Sequence, residues 1–92
     1  GDPEGLNERG LLEKARGRPA AAEALFRAAL LAEPAAGPIG SARANLGLLL
    51  LEGGRPAEAE AVLAPLLSRP NPGTLPVLLW LRTTLRAERP VL

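Results

Sequence analysis

The chain has no histidine, no cysteine, no methionine and no tyrosine, and Phe26 and Trp80 are its only aromatic residues. Each absence removes a class of chemistry. Without histidine, cysteine or tyrosine, the usual general bases and nucleophiles are missing. No motif sets a base beside the hydroxyls of Ser41, Ser68, Thr74, Thr83 and Thr84, and Glu58 and Glu60 stand two apart, so a helix points them in different directions. We expect no catalytic residues and no enzyme. No metal-ligand spacing occurs. Gly53-Gly54 is no phosphate loop, because no Lys-Ser/Thr follows it; no cofactor is expected.

Other absences bound the setting. A chain without cysteine has no disulfide framework, which leaves the compartment open, cytoplasm or periplasm. The net charge is +1, both signs are interspersed, and Lys14 is the only lysine among the basic residues. A nucleic-acid binder should carry a basic stripe, and none is visible. The longest purely aliphatic run, Leu48 to Leu51, is far too short to insert in a bilayer, and there is no signal peptide. The lack of methionine reads as a piece of a longer chain, with Gly1 a cloning remnant. The excess of Arg, Ala and Pro points to a GC-rich, bacterial coding sequence.

What is present is helix-forming. Apolar residues make up 47% of 92 residues, nearly all Leu and Ala, with few β-branched residues. That composition predicts one small all-α domain. Ten Gly and ten Pro fall mostly between helical patterns, as punctuation. The stretch GRPAAAEAL begins at Gly17, and GRPAEAEAV begins 37 residues later at Gly54. After the first come Ala22, Leu25, Phe26, Ala29 and Leu30; after the second, Ala59, Val62, Leu63, Leu66 and Leu67. Both sets trace one apolar stripe on a helix. Upstream of each lies a further helical stretch with a glycine near its middle, Gly10 and Gly47.

Each Gly-Arg-Pro therefore reads as a corner between two helices. Gly17 and Gly54 can take the left-handed conformation that ends a helix. Pro19 and Pro56 suit the first position of the next, where a missing N–H costs nothing. Arg18 and Arg55 then fall at the N-cap, where a poor capping side chain costs roughly 1 kcal/mol. Pro65 removes one helical hydrogen bond, at about 3 kcal/mol in a straight helix, so a kink or an early end is expected there, with Pro65 on the outer face.

At this point the chain resembles the tetratricopeptide repeat, whose signature is W-x2-L-G-x2-Y, then A-x3-F, then a proline. Gly10, Ala22, Phe26, Ala29 and Pro34 match in the first copy; Leu46, Gly47, Leu50, Ala59 and Leu63 match or substitute conservatively in the second. Leu6 and Arg43 replace the tryptophan, Arg9 the leucine, and Glu13 the ring. A third, half unit aligns Val77, Trp80, Leu81 and Thr84 with the first-helix signature, and Leu81 takes the glycine position. The resemblance implies a right-handed α-solenoid of antiparallel helix pairs with a terminal fifth helix. The helices are expected over about 3–16, 19–33, 38–52, 56–68 and 74–87. The repeats run about 3–36 and 37–72, with the half unit at about 73–92. Gly10 should face Ala22, and Gly47 should face Ala59.

In that family the first helices of the pairs line a concave groove that takes peptides. Carried over, the groove comprises Asn7, Leu11 and Lys14; Ser41, Ala44, Asn45, Leu48 and Leu51; and Leu75, Leu78, Arg82 and Arg86. A family clamp for terminal carboxylates would need polar or basic residues where Leu11, Leu75 and Leu79 stand, and only Asn45 fits it. The groove is expected to be apolar and to hold an apolar or amphipathic segment of a protein or peptide partner. Trp80 is expected in the core. The alternatives are self-association through the apolar last helix and a scaffold fragment of a larger multi-repeat protein.

Overall fold

The computed structural model describes residues 2–32, 41–68 and 75–88, with Ser41, Ser68, Leu75 and Glu88 described by backbone alone. Five helices result: α1 Pro3–Ala15, α2 Pro19–Ala32, α3 Ser41–Glu52, α4 Pro56–Ser68 and α5 Leu75–Glu88. Among the described residues there is no strand. The expected helix bounds at 33, 38 and 74, and Pro34, lie outside the described residues. Asp2 starts α1, its side chain accepting from the Glu4 N–H at 3.2 Å, and Pro3 takes the first position, where proline is tolerated.

The two corners are built alike. The Arg18 N–H reaches back to the Glu13 carbonyl at 2.9 Å and the Gly17 N–H to Lys14 at 3.0 Å. At the second corner Arg55 reaches Leu50 at 2.8 Å and Gly54 reaches Leu51 at 3.1 Å. This paired closure satisfies the orphan carbonyls at a helix C-terminus and needs a left-handed residue. Gly17 and Gly54 supply it, with φ of 75° and 74°. The carbonyls of Arg18 and Arg55 then accept the first bonds of α2 and α4, from Ala22 and Ala59. One arginine thus closes one helix with its N–H and opens the next with its C=O.

Helix contacts run along the chain: α1 on α2, α2 on α3, α3 on α4 and α4 on α5, with α3 also meeting α1 and α5. Such neighbour-only stacking is the organisation of a helical solenoid. The core runs through it continuously, with Phe26, Leu46, Leu50, Leu63, Leu66 and Leu81 fully enclosed. Each such side chain contributes roughly 1.5–3 kcal/mol.

Three local expectations change. The first helices do approach the second at their glycines, but one turn further along. A Cβ at Gly10 would meet Phe26 Cε1 at 2.5 Å, and one at Gly47 would overlap Leu63. The large residues at those positions, rather than Ala22 and Ala59, fill the space that the glycines leave. Of the kink or early end expected at Pro65, the early end does not occur, since α4 continues to Ser68, and the Pro65 side chain is exposed, on the outer face as expected. An Arg43 guanidinium N–H donates to the Val62 carbonyl at 2.9 Å, one residue beyond the Ala61 carbonyl that Pro65 leaves without its ladder donor. Trp80 is not core: it is 40% exposed.

Candidate partner-binding groove

α1, α3 and α5 form the row of first helices. Between α1 and α3 the polar groups engage each other. Asn45 Nδ2 donates to Asn7 Oδ1 at 2.9 Å in a half-buried site, and the Lys14 ammonium lies 2.7 Å from a Glu52 carboxylate oxygen. These contacts fix the spacing of the two helices and hold three of the polar groove candidates, Asn7, Lys14 and Asn45, in the protein's own network. Leu11 stands exposed on the same row.

Between α3 and α5 lies a hollow of about 200 Å³ lined by Ala44, Asn45, Leu48, Pro76, Val77 and Trp80. Asn45 supplies the polar wall; the rest is apolar. Pro76 and Trp80 stand four residues apart, on one side of α5, as helical geometry requires. Leu48 is half-buried and packs on the core. A hollow with an indole at its edge and one polar group on its wall can take an apolar side chain and offer a single hydrogen bond to the backbone that carries it.

The remaining groove candidates lie elsewhere. Leu51 and Leu78 are buried, at 6% and 7% exposure, within the core cluster. Leu78 and Arg82 line a second recess, of about 450 Å³, on the α4 side of α5. Arg86 is exposed in the last turn of α5. The side chains of Ser41 and Leu75 lie outside the described residues. Sequence reasoning left Pro76, Val77 and Trp80 out of the groove. The available signal was the i, i+4 pairing of Pro76 with Trp80 on a helix apolar on more than one face.

The second helices are tied by charge. Arg55 donates from Nη1 to Glu23 Oε1 at 2.6 Å and also binds Glu58, while Arg27 donates to Glu23 at 3.0 Å and to Glu58 at 3.5 Å. Two arginines and two glutamates thus alternate around a four-membered ring joining α2 to α4. The Arg55 hydrogen bond holds the Glu23 carboxyl below its ordinary range, with Arg27 adding to the effect against partial burial. The same carboxylates push the Arg55 guanidinium further toward its charged form.

Among the described residues, no group of His, Cys, Asp and Glu is placed to hold a metal ion, and no helix is long and apolar enough to cross a membrane. No curated protein and no solved structure matches the chain significantly. A family does match, at residues 3–28 and again at 40–65, and these stretches carry α1–α2 and α3–α4 with their shared corner. With α5 standing as a further half unit, the chain belongs to the tetratricopeptide repeat family, whose members generally serve as protein–protein interaction modules.

Proposed function

We propose that this chain is a non-catalytic protein-interaction module that holds an apolar or amphipathic segment of a partner against its first helices. The observation that carries this reading is the exposed Trp80 beside the α3–α5 hollow, with Leu48, Val77 and Pro76 around it. Exposed aromatic rings next to a pocket are the common anchors of protein interfaces. The polar residues of the α1–α3 side, tied to one another, set the shape of the groove and leave the apolar α3–α5 side as the contact. Leu11 extends that contact toward α1. Leu51 and Leu78 belong to the core on which α3 and α5 pack, while Arg82 and Arg86 are exposed on α5, Arg82 on its α4 side.

Selection of a random-sequence peptide library on the immobilised chain tests this reading. Enriched peptides should be apolar or amphipathic, and their binding should shift Trp80 emission to the blue, since Trp80 is the only tryptophan. Trp80→Ala should abolish capture without loss of helical signal. Peptides that bind Trp80→Ala as well as the parent chain would place recognition elsewhere.

A further inference from the structure

α1 to α4 are tied to one another by directional bonds as well as by apolar packing. The Asn45–Asn7 bond and the Lys14–Glu52 pair join α1 to α3. The Arg55–Glu23 pair joins α2 to α4, and Arg43 joins α3 to α4. α5 is held differently. Among the described residues its side chains bond no other helix: Thr83 Oγ1 donates to the Leu79 carbonyl of its own helix at 2.9 Å, and Arg82 and Arg86 stand exposed.

What docks α5 is the burial of Val77, Leu78 and Leu81, with Leu85 partly covered. Apolar burial of this kind is non-directional. Both flanks of the helix are incompletely filled, by the hollow of about 200 Å³ toward α3 and by a recess of about 450 Å³ toward α4. Unfilled space forfeits dispersion contacts. Among the described residues no second helix packs on α5 as α2 packs on α1 and α4 on α3, so the stacking that stabilises each hairpin is halved there. Segments with few buried apolar contacts are the ones that open locally.

We propose that α5 undocks as a unit while α1–α4 stay folded, and that its docking assembles the partner groove. The α3–α5 hollow takes Ala44, Asn45 and Leu48 from one helix and Pro76, Val77 and Trp80 from the other. Neither helix forms the hollow alone. Only the docked fraction of the chain can then bind, and the apparent affinity is lowered by that fraction. A segment seated between α3 and α5 in turn holds α5 in place. This coupling to a partner rests on the Trp80 groove; the undocking itself does not.

Trp80 is the only tryptophan and lies on α5, so its emission follows α5 while circular dichroism follows all five helices. In urea the Trp80 transition should precede the main loss of helical signal by about 1 M or more. Coincident transitions overturn the proposal. Leu81→Ala should lower the Trp80 midpoint and leave the main helical transition in place. If that variant undocks α5 in water, its emission starts red-shifted with the main transition retained, which supports the proposal equally. A Leu81→Ala chain whose two midpoints fall together overturns it. A peptide selected on the immobilised chain should raise the Trp80 midpoint alone. Two separate transitions with no peptide captured would support the undocking and count against the groove.

Discussion

The backbone of Gly47 lies directly against the side chain of Leu63, so that an added Cβ would come within 2.7 Å of Leu63 Cδ1 and closer still to Cγ. Gly10 and Phe26 stand in the same relation one repeat earlier. Leu63 and Phe26 are both fully buried and have no room to retreat. Alanine is the better helix former by about 1 kcal/mol, yet the overlap should outweigh that gain. We expect Gly47→Ala to destabilise the fold by about 1–3 kcal/mol, in the range of overpacked cores. Urea denaturation followed by circular dichroism measures it. Adding Leu63→Ala should make the pair of changes less costly than the sum of the two alone, because each relieves the other.

Gly54 calls for the same substitution with a different cause. No atom lies within 4 Å of a Cβ built there, and φ is +74°. Gly54→Ala should therefore cost about 1–2 kcal/mol from left-handed backbone strain alone. Asn tolerates that region better, so Gly54→Asn should cost less than Gly54→Ala, whereas at Gly47 the larger Asn should cost more than Ala. The reversed order in paired thermal melts separates the two mechanisms.

The ring of Glu23, Arg27, Arg55 and Glu58 predicts a pH response. Glu23 titrates lower in the folded chain than when unfolded, so the unfolded state takes up the proton first as pH falls. Its contribution is complete above the unfolded carboxylate range and falls away as pH drops through the folded value. Glu23→Gln should flatten the acid side of a stability–pH curve between those two values. Added salt should lower the parent's stability more than the variant's, because exposed pairs are screened.

Arg43 stands where the family favours tryptophan, and it uses that position to bond the Val62 carbonyl from the neighbouring helix. Arg43→Ala should destabilise by roughly 1 kcal/mol, the net value of such a bond. Pro65→Ala should raise the melting temperature, since it returns an N–H to the α4 ladder at an exposed site.

The helices and corners were legible because they are written twice. Two apolar stripes in the same register and two Gly-Arg-Pro phrases constrain one another, and the left-handed glycines follow from local geometry alone. The partner of each close-approach glycine was not legible. The helical period says which face of α2 turns inward, but not how far α1 slides along it, so Phe26 rather than Ala22 meets Gly10. The face that α5 turns to α3 was also hidden. Its leucines lie on several sides, and α5 has no second helix among the described residues to fix its rotation. Trp80 therefore read as core, while the structure sets it at the mouth of a hollow.

Because Arg18 and Arg55 each serve two helices at once, neither corner contains a spare residue. Inserting even one amino acid there would detach the N–H that finishes one arm from the carbonyl that begins the other. Length variation in a chain of this kind is tolerated only at the joints between hairpins, and any extended or shortened relative should keep its Gly-Arg-Pro spacing while its inter-hairpin segments drift.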